Sequence, residues 1–392
     1  AERIAALNAA GRAEDVFTLD PAAFAQIPGS PFAYWASDSI FRSFRECELL
    51  EKAGRTAKRG PSSGDDFRRI RLWWEVTPLS IDRLVRWIPF SKGGVFSPYH
   101  CDLFLLVEWD EQRYTFRDFY GRPGREIPKL ESSSFFFRRG LTWPRRTTSG
   151  MSVRALPLGC AFADKGPSAF LSNDEPKDLL SLLAIMNSTP FEALVKLQLG
   201  AATAAARSYE VGIIQRTPVP PLTDDRSRIT LSALAREVHD LQRDRDRVDE
   251  TTHAFGLPGL VEEHSAPSLV AASQALDAAE QLRLARLAAI EAEIDEIVLG
   301  LYGLTIDDLR LTIAETGEPI ENPASPDAGS RQPTPSVGQV SEIVNEDDED
   351  EEPAIADTLP RHAADLLQWC VGVAFGRWDV RMALDPSLLP TL

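Results

Sequence analysis

Residues 135–170 read FFFRRGLTWPRRTTSGMSVRALPLGCAFADKGPSAF. The apolar runs here, SFFFRRGLTW (134–143) and VRALPLGCAFAD (153–164), are short, and clusters of Gly, Pro, Ser and Thr separate them. Apolar runs of four to eight residues bounded by turn residues read as strands rather than helices. The same stretch also carries two Arg-Arg pairs, Arg138-Arg139 and Arg145-Arg146, set among aromatics and hydroxyls. Fold and function are therefore posed together, as a sheet whose turns are basic.

Working outward, RLWWEV (71–76) and DLFLLVEW (102–109) extend the pattern of short strands. LLSLLAIMNSTPFEALVKLQL (179–199) reads as helix with a break at Pro190, since a proline lacks the amide proton that a helix interior needs. TPVPP (217–221) closes the region as a stiff extended segment. At the other end, IPGSPFAYWASD (27–38) places a Pro28-Gly29 turn and an extended Ser30 before Phe32, Tyr34 and Trp35. These rings are expected to pack beneath the first turn. Residues 21–222 thus form a mixed-sheet α+β domain. Residues 1–20 read as a linker from an upstream domain.

From Ile229 the period changes. Leu231, Leu234, Val238 and Leu241 recur at helical spacing, as do Leu287, Ile290, Ile294, Ile297 and Leu301 beyond a GLPG loop (256–259). Two such seams predict an antiparallel helical pair, a spacer over 223–310 that stops at Gly303. Residues 311–361 lose periodicity and include seven consecutive acids, Glu346–Glu352, so they are expected to be a disordered acidic linker. Residues 362–392 are expected to be a C-terminal helical segment that docks elsewhere.

The net charge of −17 is misleading on its own. Residues 1–222 hold 29 Lys and Arg against 25 Asp and Glu, while 223–392 hold 13 against 34. A basic module is joined to an acidic one, and this asymmetry is the informative quantity. Cys47, Cys101, Cys160 and Cys370 form no C-x-x-C pair, which speaks against a zinc site or disulfide framework and fits a reducing cytoplasm. No apolar run reaches the ~18 residues of a membrane span, so no membrane partner is expected. His100 beside Cys101 could suggest a thiol nucleophile, but a strand residue next to a buried thiol is the simpler reading. Asp65-Asp66 could be metal ligands, but turn acids after Ser62-Ser63-Gly64 explain them equally simply. No phosphate-binding glycine loop and no H-E-x-x-H occur.

What stands out is basic residues interleaved with aromatics. Lys58-Arg59-Gly60 leads into SGDDFRRIRLWW (63–74), then FSKGG (90–94), then the stretch quoted first. Arg and Lys bind phosphates and read guanine edges, and hydroxyls in turns fix register on the backbone. The candidate DNA contacts are Lys58, Arg68, Arg69, Arg71, Lys92, Arg138, Arg139, Arg145, Arg146 and Ser149. RRIR (68–71) is expected at a turn-to-strand edge, where alternation would set Arg69 and Arg71 opposite Arg68. Lys92 precedes Gly93-Gly94, which permits close approach of backbone to phosphate. The Arg145–Ser149 loop ranks highest for base reading.

The ordered words IPGSPFAYWASD, SGDDFRRIRLWWEV, IPFSKGGVFSPYHCDLFLLVEWD, the 135–170 stretch and SYEVGIIQRTPVPPL closely resemble the C-terminal, target-recognition half of large adenine-specific DNA methyltransferases. These are the PglX-type enzymes of BREX phage defence and related single-chain restriction-modification enzymes. IDEIVLGLYGL (294–304) and DLLQWCVGVAFGRWDV (365–380) continue the resemblance. It implies double-stranded DNA as partner, and an upstream methyltransferase domain of the same polypeptide that binds S-adenosylmethionine and flips adenine into an N/D-P-P-Y/F loop. That tetrapeptide is missing here, where Pro-Pro occurs only at Pro220-Pro221, so no cofactor and no catalytic residue are expected in this chain. Other defence-system proteins are further candidate partners. The alternative reading is a protein-interaction module whose acidic tail engages basic partners.

Overall fold

In the computed structural model, residues 21–29, 33–52, 54–63, 65–109, 132–199, 207–222, 224–309, 358–383 and 385 are described. The short runs form two four-stranded sheets. The first has the order β2 (Arg55–Lys58), β10 (Ser168–Leu171), β6 (Gly140–Thr142), β8 (Arg154–Leu156), all antiparallel. The second has the order β3 (Ile70–Leu72), β5 (Leu105–Glu108), β4 (Trp87–Ser91), β9 (Ala161–Phe162), with β4 and β9 parallel. Two small ladders complete the set: β1 (Glu48–Leu49) with β12 (Pro218–Val219), and β7 (Arg146–Thr147) with β11 (Arg207–Ser208). The strands of 135–170 contribute to both large sheets, β6, β8 and β10 to one and β9 to the other. Phe136, Phe162 and Phe170 pack between them in an aromatic core with Trp109.

The helices follow local chemistry. Ser37 caps α1 (Asp38–Glu46) by accepting from the Ile40 amide. The expected break at Pro190 divides α3 (Pro176–Asn187) from α4 (Thr189–Leu199), which meet at a 61° bend. Both are buried, and among the described residues no single helix is long and apolar enough to cross a membrane. The turn α5 (Val211–Gln215) leads to α6 (Asp225–Arg245), capped by Asp224. The short α7 (Gly259–Glu262) precedes α8 (Leu269–Tyr302), which ends on left-handed Gly303, where the missing Cβ makes the positive φ inexpensive. Helices α6 and α8 are antiparallel, as the pairs Glu237–Arg286, Gln242–Arg283 and Arg245–Glu280 show.

Two expectations are corrected. RRIR does lie where a turn meets a strand, but strand alternation does not sort its arginines: Asp65 accepts from the Arg68 amide and caps a helical turn, α2 (Asp66–Arg69), so Arg68 and Arg69 belong to the turn and the strand starts at Ile70. In α8 the fully buried positions pass from Leu287, Ile290 and Ile294 to Val298 and Tyr302, with Ile297 and Leu301 half-buried, because a straight helix drifts away from a strict heptad. One apolar core runs through Ile27, Trp143, α3, α4, α6 and α8, continuous across residue 222. In 27–38, Trp35 packs against that core while Tyr34 stays exposed, edge-on to Trp35. The C-terminal segment begins earlier than 362: α9 (Leu359–Ala374) docks through Trp369 on Phe255 and Leu257, and Thr358 donates to Asp277. The expected linker 1–20 and the acidic stretch as far as 357 lie outside the described residues.

Candidate nucleic-acid interface

Strand register sorts the basic residues to two ends of the sheets. At the near end, Lys58, Ser168, Thr142 and Arg154 stand in line across the first sheet. Ser91 closes β4 of the second sheet, its hydroxyl 3.1 Å from that of Thr142. The loops leaving here hold Arg59, Lys92, Arg145, Arg146 and Lys165. At the far end, Arg138 and Arg139 enter β6, and Arg86 enters β4 beside Glu108.

Arg138, Arg69, Arg86 and Arg71 are committed to the fold. Arg138 grips Asp174 with two bonds of 2.6 and 3.1 Å, donates to Leu171 O at 2.5 Å, and covers the rings of Phe135 and Phe170. Arg69 bonds Glu108 at 2.8 Å, and Arg86 takes the other oxygen of the same carboxylate. Arg71 donates to the carbonyls of Phe67 and Ile70 and lies over Trp87. Arg68 and Arg139 are exposed. Lys58, although at the near end by register, reaches Glu51 at 2.9 Å.

At the near end, Lys92 is paired closely, whereas Arg145 and Arg59 are held loosely. Lys92 contacts Asp66, which also accepts from Ser63. Arg145 lies 3.5 Å from Asp164 and 3.7 Å from Glu210, beyond hydrogen-bonding distance, and Asp164 is shared with Arg59 at 3.8 Å. The Arg145 Nε is buried without an acceptor. Its backbone is fixed instead: the amide donates to Lys165 O at 2.9 Å and the carbonyl accepts from Tyr209 at 2.7 Å. Buried Trp143 bonds Tyr209 O, Met151 N bonds Glu192, and Asn187 of α3 holds both backbone groups of Val153. The loop carrying Arg145, Arg146, Thr148 and Ser149 is thus mounted on rigid elements. Arg146 and Ser149 are exposed there, with the Ser149 amide donating to Thr147 Oγ1.

Arg154 was not among the sequence candidates. It is 3% exposed and donates to the carbonyls of Gly93 and Val95, with no carboxylate partner among the described residues. A lone arginine inside the apolar run MSVRAL is the signal that points to it.

The catalytic readings dissolve. His100 bonds buried Asp246 at 2.9 Å in a tie between the sheet domain and the end of α6, and Asp102 binds His253 nearby. Asp65 and Asp66 serve as a helix cap and as the partner of Lys92. Burial lifts the Cys160 thiol to about 12. No cluster of metal-ligating residues occurs among the described residues.

No family model matches the chain. The adenine-specific methyltransferase PglX of Lacticaseibacillus casei (strain Zhang) is 27% identical over 297 residues, which is 72% of this chain and 24% of that protein. The adenine-specific methyltransferase BrxX of Escherichia coli O9:H4 (strain HS) is 29% identical over 169 residues, 42% of this chain and 13% of that protein. The chain therefore spans a quarter or less of the length of these relatives. The type IIL restriction-modification enzyme MmeI, solved in complex with DNA, overlays 69% of this chain and 36% of its own at a TM-score of 0.43 and 11% identity, a likeness too loose to bear on the fold or the ligand.

Proposed function

We propose, from its homology to part of the adenine-specific methyltransferases PglX and BrxX, that this chain is the DNA-recognition part of a site-specific adenine-N6 methyltransferase of phage defence or restriction-modification. The observation that carries this reading is the match to PglX across 72% of the chain. The near end of the sheets, with Arg145, Arg146 and Ser149 on a loop mounted on rigid elements and Lys165 on the adjoining one, supports it as the face that meets double-stranded DNA. The far-end arginines then serve the fold.

Methyl transfer needs S-adenosylmethionine, and the described residues do not fit it. The strand-to-helix turn from β10 into α3, Ser172–Glu175, has no glycine with which to approach a nucleotide, and Pro220-Pro221 is followed by Leu222 rather than an aromatic. Cofactor binding and chemistry belong to a methyltransferase domain outside these residues. The test is duplex binding by the 392-residue chain, followed by fluorescence anisotropy across a salt series. Affinity should fall steeply with salt, since each neutralised phosphate contributes a slope of about −0.9. Absence of binding at low salt would remove the reading.

A further inference from the structure

The turn Lys92-Gly93-Gly94-Val95-Phe96 has an unusual polarity. Gly93 (φ +88°) and Gly94 (φ +107°) both take left-handed conformations that side chains resist. A Cβ on Gly93 would stand 2.7 Å from Lys165 O, so the turn is pressed against the loop that anchors Arg145. Buried Arg154 draws the carbonyls of Gly93 and Val95 inward. Among the described residues, the amides of Gly94, Val95 and Phe96 donate to no protein acceptor, and these residues are exposed. Burying a guanidinium without a carboxylate costs free energy that carbonyls only partly return. Arg154 thus holds two carbonyls of the turn on its buried side, while three successive amides keep no protein acceptor among the described residues, the unmet donors that an anion-binding nest uses.

We propose that this turn holds a backbone phosphate of duplex DNA through the amides of Gly94, Val95 and Phe96, with Arg154 as the positioning residue: by holding the Gly93 and Val95 carbonyls it fixes the peptide planes that carry the Gly94 and Phe96 amides. The inference rests on the DNA-binding reading above. The contact carries no sequence information and sets the register in which the neighbouring Arg145–Ser149 loop meets the bases.

The whole chain, 15N-labelled at Gly, Val and Phe, would be titrated with a duplex and then with inorganic phosphate. Duplex should shift the Gly94, Val95 and Phe96 amides at concentrations where inorganic phosphate does not. Val95 is 37% exposed, so Val95→Glu and Val95→Gln both leave the packing intact. Val95→Glu should weaken binding to cognate and scrambled duplexes alike by about tenfold or more, through like-charge repulsion of the phosphate. Val95→Gln, which adds no charge, should lose far less affinity than Val95→Glu. Arg154→Met should abolish the duplex-induced shifts of the three amides while the Arg145–Ser149 loop still responds. If the parent binds duplex but the three amides stay still, or Val95→Glu matches Val95→Gln, the inference is wrong. If the parent binds no duplex, the DNA reading itself fails.

Discussion

Two Arg-Arg dipeptides stand at the two ends of the three-residue strand β6, Arg138-Arg139 before it and Arg145-Arg146 after it. In sequence they look alike, each beside an aromatic. In the fold they have different neighbours. Arg138 meets a bidentate carboxylate, a carbonyl and two rings. Arg145 sees two carboxylates at 3.5 and 3.7 Å and keeps a buried Nε without an acceptor. Three of the five N–H donors of Arg138 are spent on the fold, whereas the Arg145 guanidinium makes no close hydrogen bond and stays the more available to an anion. Basic character alone does not mark a binding face; how firmly the fold already holds each guanidinium does.

The sharpest challenge to this contrast is the anchor of the near-end loop. Trp143 is fully buried and bonds Tyr209 O. Trp143→Ala should cost about 3–5 kcal/mol of stability in denaturant unfolding, as large core truncations do. A loss under about 1 kcal/mol would mean the loop is not mounted on the core as described.

A smaller effect tests the far end. Arg138→Ala removes two carboxylate bonds and one carbonyl bond at a partly exposed site, and should cost about 1–2 kcal/mol. Duplex affinity, measured where the variant is folded, should stay at the parent value. A variant as stable as the parent but deficient in binding would reverse the roles given to the two ends.

The smallest effect lies beneath the near end, where Glu291 of α8 faces buried Tyr99. Burial, with Asp295 one turn along, raises its carboxyl from 4.5 to about 7. The folded chain then keeps a proton that the unfolded chain has released, so this group makes stability fall as pH rises from about 4.5 to about 7. Glu291→Gln should flatten that decline in melting temperature. An unchanged pH profile would show that Glu291 is not buried as described.

Much of this fold was legible because its signals are local. Pro190 sits where α3 and α4 part, Gly303 where α8 stops, and the short runs between turn residues hold the strands, although Trp73–Glu75 and Ser133–Phe135 within them wind into 3-10 turns. The alternation read for Arg68 and Arg69 failed because one capping carboxylate, Asp65, extends the helical turn through Arg69. The site was less legible because its pairings are not local. Asp174 lies 36 residues from Arg138, and Glu108 lies 39 from Arg69. No spacing rule connects them, so Arg138 and Arg69 stood among the DNA candidates beside Arg145 and Arg146. The carbonyls that meet Arg154 are about 60 residues away, and only the isolation of that charge in an apolar run hints at its role.

The most direct test compares the two dipeptides on one duplex across a salt series. Arg145→Ala/Arg146→Ala should weaken binding by tenfold or more at low salt and reduce the salt slope by about one to two, as expected for lost phosphate contacts. Arg138→Ala/Arg139→Ala should retain most of the parent slope despite its lower stability. Equal losses from both pairs, or a larger loss from Arg138→Ala/Arg139→Ala, would contradict the assignment of the near end as the DNA face.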